Sequence, residues 1–167
     1  RGDPLRWLPM ASLQPFSGSE SFNVPVEKVY EALTSPEFLR QCVPDLDRAE
    51  VVGENQLKGV VRPKFAFMRG TLNFLITVTK TQPGREALTV NQSEGIGAKI
   101  TVESRMTFEP GAGAGGADGA GGCTVKWEAA VTQLKGLVSM APTGLIRGAA
   151  EKTIKDTWGL VRAKIEG

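Results

Sequence analysis

Between Asp47 and Thr132 the apolar side chains recur at every second position, and outside that stretch they do not. Leu72, Phe74, Ile76 and Val78 alternate with Thr71, Asn73, Thr77 and Thr79, and only Leu75 breaks the polar set. Ile100, Val102, Met106 and Phe108 alternate with Lys99, Thr101, Glu103, Arg105 and Thr107. Val125, Trp127, Ala129 and Val131 alternate with Thr124, Lys126, Glu128, Ala130 and Thr132. A period of two puts one set of side chains on each face of a strand. Strands with one apolar face belong to an antiparallel sheet covered on one side. The chain must therefore supply a cover.

The two ends supply it. Residues 13–22 read as a first strand, closing at Asn23-Val24-Pro25. Proline suits the first turn of a helix, where its missing N–H costs nothing. Val26, Val29, Tyr30 and Leu33 then follow i, i+3, i+4, i+7, a short amphipathic helix. Thr34-Ser35-Pro36 stops it and starts another, with Phe38, Leu39 and Val43 as its stripe. Near the C-terminus Ala150, Ile154, Trp158, Val161 and Ile165 form a single stripe on a long helix. Projected back at about 100° per residue, the stripe meets Arg147 and Thr143, while Leu145 and Ile146 fall on a different side. An arginine thus enters the inward face. The expected fold is α+β: a curved antiparallel sheet of six or seven strands around a long C-terminal helix, with two short helices after the first strand.

Shorter strands are expected over residues 49–52, 57–67 and 87–94. Pro63 places the second of these near an edge or at a bulge. Gln82-Pro83-Gly84 and Gly95-Ile96-Gly97 read as hairpin turns. Residues 111–122, GAGAGGADGAGG, hold seven of the 20 glycines and lie between two strands, so a flexible loop is expected there. A phosphate-cradling loop would need GK[ST] opening a helix, whereas Cys123-Thr124 opens a strand. Met10 followed by Ala11-Ser12-Leu13 would serve as a start, which sets residues 1–9 apart; residues 1–12 read as an N-terminal extension and residues 13–167 as a single domain.

Composition narrows the chemistry. Histidine is absent, which excludes Ser-His-Asp and Cys-His nucleophilic sites, His-ligated zinc and an imidazole switch. Cys42 and Cys123 are too few for a thiolate zinc site and too far apart for a CxxC motif. They read as two small buried thiols in a reducing cytosol, with one disulfide left open as the alternative. Lys and Arg number 20 against 18 Asp and Glu, a net charge of +2, so nothing points to nucleic acid. No apolar run reaches the roughly 18–20 residues of a membrane span, and a cytoplasmic location is expected. Glu94 and Glu103, the carboxylates nearest to a catalytic pair, are expected on opposite faces of adjacent strands. Binding is therefore expected rather than catalysis, with no metal and no cofactor.

The local text adds a resemblance. Phe22-Asn23-Val24-Pro25-Val26-Glu27-Lys28-Val29-Tyr30 and Leu33-Thr34-Ser35-Pro36-Glu37-Phe38-Leu39 are followed by the turn Cys42-Val43-Pro44-Asp45. Gly95-Ile96-Gly97-Ala98, Cys123-Thr124-Val125-Lys126-Trp127 and Gly136-Leu137-Val138 come later. With these the chain resembles the carbon monoxide dehydrogenase G-subunit family, in the START and pollen-allergen-like helix-grip (SRPBCC) superfamily. The likeness runs over about residues 14–165. Asp45 stands where that family commonly has glycine. The resemblance implies a helix-grip fold with a cavity between sheet and last helix. It also implies, as an alternative role, an accessory or interaction protein for a molybdenum-containing carbon monoxide dehydrogenase-type enzyme, engaged through the uncharged 136–150 surface. Members that tether a partner enzyme to the membrane carry a further C-terminal anchor, and a membrane-recruiting role is not expected for residues 1–167.

The residues themselves favour binding of a hydrophobic or amphipathic small molecule. Ligand pockets are mostly apolar with a few placed polar groups. Phe74, Ile76, Met106 and Trp127 are the expected apolar walls. Gln92, Glu94 and Ser104 are expected to share the inward face with Leu88, Val90, Val102 and Met106, and Gln92 and Ser104 are the polar candidates. Arg147, near the mouth, is the candidate partner of a ligand carboxylate or phosphate.

Overall fold

A computed structural model describes residues 13–65, 67–111 and 121–167. Strand β1, Phe16–Phe22, is followed by helices α1, Val26–Leu33, and α2, Pro36–Arg40. Strands β2, Leu46–Val52, β3, Gln56–Val61, β4, Leu72–Gln82, β5, Glu86–Gly95, β6, Ala98–Gly111, and β7, Gly122–Gly136, come next. A single 3₁₀ turn, Leu137–Met140, leads into helix α3, Thr143–Glu166. The seven strands form one antiparallel sheet in the order β1-β7-β6-β5-β4-β3-β2, an open helix-grip sheet. The expected extension at 1–12 and the inner part of the glycine loop, 112–120, lie outside the described residues. The loop's ends are registered, with Gly111 opposite Gly122.

The short helices are set by local chemistry. The N–H groups of Lys28 and Val29 both donate to the Pro25 carbonyl. Ser35 caps α2 by accepting from the Phe38 N–H at 3.3 Å, and Pro36 fills its first position. Helix α1 buries Val29, Tyr30 and Leu33. Tyr30 meets Phe108 edge-on at 4.8 Å and donates its hydroxyl to the Glu86 carbonyl at 2.9 Å, pinning α1 over β5 and β6.

The strand expected at 57–67 ends at Val61. Strand β3 lies between β2 and β4, and Pro63, with no N–H to donate, could not continue an interior strand. The turn after α2 holds Asp45 at φ +57°, the left-handed region that glycine occupies freely. Asp45→Gly should therefore raise stability slightly, by about 0.5 kcal/mol. A melting temperature about 1–2 °C higher is expected. A lower one would show that the 3.8 Å contact with Lys64 outweighs the backbone relief.

One expectation is overturned by register. Gly95 pairs with Ala98, so β5 and β6 are joined by the two residues Ile96 and Gly97, both at positive φ. This is a tight turn of the type that matches strand twist. It sets odd residues of β5 opposite even residues of β6: Thr89 faces Ser104, Asn91 faces Val102 and Ser93 faces Ile100. A one-residue offset moves a whole strand to the other face. Gln92, with Leu88, Val90 and Glu94, therefore lies on the outer face and not beside Met106 and Ser104, and Gln92 is exposed. Glu94 and Glu103 consequently share the outer face. Four positions separate them along β6, counted from Lys99 opposite Glu94, a span of about 13 Å, too long for a catalytic dyad.

The inner face is defined by its packing. Phe22, Ala87, Met106, Phe108, Cys123 and Val125 join Val161 of α3 and the buried face of α1 in the larger core cluster. A second cluster places Ile146, Ala150 and Ile154 of α3 against Phe16, Val131 and Leu13. Ile146 thus belongs to the stripe, contrary to the projection, because it stands four residues before Ala150 and an apolar helix face is about 100° wide. Cys42 and Cys123 are both buried and free. Burial pushes each thiol up to about 11, so both are inert at neutral pH.

Candidate functional site

Helix α3 crosses the sheet beside its β1 edge, and two arginines fasten it there. Arg162 pairs with Glu20 at 2.8 Å and donates to the Ser21 carbonyl at 2.9 Å. Its guanidinium lies 4.6 Å from the centre of the Phe22 ring. Arg147 donates to the Gln14 carbonyl at 3.0 Å, pairs with Glu151 at 3.2 Å, and stands 4.2 Å from the centre of the Phe16 ring. Between these fastenings a groove of about 640 Å³ opens between β1 and α3. Phe16, Trp127, Ile154 and Trp158 give it an apolar base, and Glu20, Arg147, Glu151, Lys155 and Arg162 give it a charged rim. Lys155 has no ion pair among the described residues, whereas both arginines are engaged.

Trp127 is the centre of this site. Its ring stacks on Trp158 at 6.2 Å and lies across Gly18, its partner on β1. A Cβ at Gly18 would stand 2.7 Å from Cζ2 of that ring. Gly18→Ala should displace the indole and remove about 1–3 kcal/mol of stability, visible in denaturant unfolding and in tryptophan emission. An unchanged spectrum would show that the ring does not depend on the gap. Among the described residues the Trp127 Nε1–H is the buried side-chain polar atom without a hydrogen-bond partner.

The other expected residues sit further across the same face. Met106, directly opposite Trp127, is buried, and so is Phe74, which borders a second hollow of about 320 Å³ between β2, β3 and β4. Ile76 and Ser104 are half-buried, opposite Asn91 and Thr89 respectively. The structure thus brings Trp127 and Arg147 together in the groove, sets Phe74, Ile76, Ser104 and Met106 on the same sheet face, and excludes Gln92. It adds Phe16, Glu20, Ile154, Trp158 and Arg162 to the groove, and Thr89, Asn91 and Ser93 to the inner face. The last three become visible in the sequence once β5 and β6 are counted across the two-residue turn Ile96-Gly97.

An open seven-stranded antiparallel sheet that grips a long C-terminal helix, with two short helices in its first crossover, is a START-like fold. The chain belongs to the CoxG family, that of the carbon monoxide dehydrogenase G-subunit, which it matches over residues 18–166. Among solved structures it is similar to a conserved protein from Geobacillus kaustophilus, at 20% identity and a TM-score of 0.78, covering 92% of this chain and 95% of that one. A START superfamily protein from Mycobacterium smegmatis shares 15% identity with a TM-score of 0.67, over 91% and 97% of the two chains. The protein XoxI from Bacillus cereus shares 9% with a TM-score of 0.61, over 91% and 95%. A comparison with curated proteins finds no match. Among the described residues no helix is long and apolar enough to cross a membrane.

Proposed function

We propose that this protein binds a hydrophobic or amphipathic small molecule between its sheet and helix α3. The observation that carries the reading is the groove of about 640 Å³ based on Phe16, Trp127, Ile154 and Trp158. Its volume is in the range of small-molecule sites and its base is largely aromatic. Phe74, Ile76, Ser104 and Met106 extend the contact surface across the sheet, and Arg147 stands at the rim. The role is binding and not catalysis, in a chain with no histidine. N-phenyl-1-naphthylamine, a neutral apolar fluorophore, should bind the folded protein at about one per chain and quench the tryptophans. Native mass spectrometry of protein purified without detergent should show a bound small mass. Failure of the fluorophore to bind the folded protein overturns this reading.

A second reading has its own observation. Leu137, Met140 and Leu145 are 70%, 79% and 52% exposed. They lie in the 136–150 segment, whose only charge is Arg147. An apolar knuckle of this kind suits a protein partner, here a molybdenum-containing carbon monoxide dehydrogenase-type enzyme. Co-elution with such a purified enzyme, lost in Leu137→Asp and Met140→Asp, is the expected result. Co-elution that survives both substitutions would place the contact elsewhere.

A further inference from the structure

Strand β5 is the middle strand of seven, and the middle of a sheet that grips a helix should carry its largest and most deeply buried side chains. Its inward residues are instead Ala87, Thr89, Asn91 and Ser93, and all but Ala87 are half-buried. Helix α3 does not seat over Thr89, Asn91 and Ser93: the clusters its apolar stripe joins run from Phe16, Phe22, Trp127 and Val131 to β6, and Ala87 is the β5 residue they include. The middle of the inner face is therefore an open strip, walled by Ile76 and Val78 on β4 and by Val102 and Ser104 on β6. The strip is polar but uncharged. Ser93 donates to the Asn91 side-chain oxygen at 3.4 Å. The Thr89 and Ser104 hydroxyls, directly opposite each other, have no protein partner among the described residues. Across the registered stretches of β1, β7, β6, β5 and β4, Glu20 is the one charged side chain on this face among the described residues, and Arg162 already neutralises it.

From this placement we infer that the polar end of the ligand is uncharged, a hydroxyl, carbonyl or amide group held by Thr89, Asn91 and Ser104. The inference rests on the binding reading above and names the chemical class of its ligand. A carboxylate or phosphate set on this strip would lose its hydration with no cation to replace it. A neutral group exchanges its water hydrogen bonds for those of the three side chains at little cost. Arg147, already held by Gln14, Glu151 and Phe16, is at the rim and not on the strip.

The test is displacement of N-phenyl-1-naphthylamine at pH 8 by 1-dodecanol, 2-dodecanone and dodecanoate. The alcohol and the ketone should displace it at about tenfold lower concentration than the carboxylate, one tenfold step being about 1.4 kcal/mol. Thr89→Val, which is isosteric, and Asn91→Leu should each weaken the alcohol about three- to tenfold while the fluorophore itself binds within about twofold of wild type. Gln92→Leu, on the opposite face, should change nothing. Dodecanoate binding as tightly as the alcohol overturns the inference, as does an unchanged alcohol affinity in both strip variants. Absence of fluorophore binding in the wild type instead overturns the parent reading, so the two failures are distinguishable.

Discussion

Trp158→Ala should remove about 3 kcal/mol of folding stability and abolish binding of apolar probes together. Trp158 is half-buried and contributes to two aromatic contacts, with Trp127 at 6.2 Å and with Phe22 at 6.4 Å. Loss of a core aromatic side chain typically costs about 3–5 kcal/mol, and partial exposure puts this one at the lower end. The truncation also opens the groove wall on which Trp127 rests. Trp158→Phe keeps a ring in place and should recover most of the stability, which separates the packing effect from any effect on folding as a whole. Urea unfolding of the three proteins measures it. A loss below about 1 kcal/mol in the alanine variant would show that α3 is held at this point by its arginines and not by its rings.

Gly136→Ala should destabilise the protein by about 3 kcal/mol or more, without removing any contact. Gly136 sits at φ +89°, where side chains are strained. A Cβ there would fall well inside contact distance of the Gly97 carbonyl oxygen, which already accepts from the Leu137 N–H at 2.6 Å. Backbone against backbone cannot relax by a rotamer change. Gly144 and Gly148 are the internal controls. A Cβ at either meets nothing within 4 Å, and both lie inside α3. Alanine at each should stabilise by up to about 1 kcal/mol. A mild effect at Gly136 would mean that the junction between β7 and the 3₁₀ turn yields easily, and that the direction of Leu137 and Met140 is not set by it.

What the sequence discloses follows from the range of the forces involved. Alternation in β4, β6 and β7 and the stripe Ile154, Trp158, Val161, Ile165 are local patterns, and each appears in the structure as read. Which face of one strand meets which face of the next is not local. It depends on the length of the connecting turn: Gly95-Ile96-Gly97 reads as a turn, but Gly95 still pairs with Ala98, so only Ile96 and Gly97 connect the strands. That one-residue difference puts Gln92 outward and Thr89, Asn91 and Ser93 inward. Long-range partners were equally invisible. Nothing near Arg147 in sequence reveals that the Gln14 carbonyl and the Phe16 ring, from the opposite end of the chain, hold its guanidinium.

The same fastenings have a consequence for association between chains. A sheet that does not close leaves two rows of unpaired backbone groups, each a template for another strand. On the β1 side Arg162 holds the Ser21 carbonyl from α3, and Arg147 holds the carbonyl of Gln14 just ahead of the strand, so an incoming strand meets a guanidinium group at each end of β1. On the β2 side Asp47, Arg48 and Glu50 crowd a strand whose register breaks between Leu46 and Arg48. The ionic contacts that seat the helix thus also guard the sheet against polymerisation. Conditions that weaken them, high salt foremost, loosen the gripped helix and expose one sticky edge at the same moment.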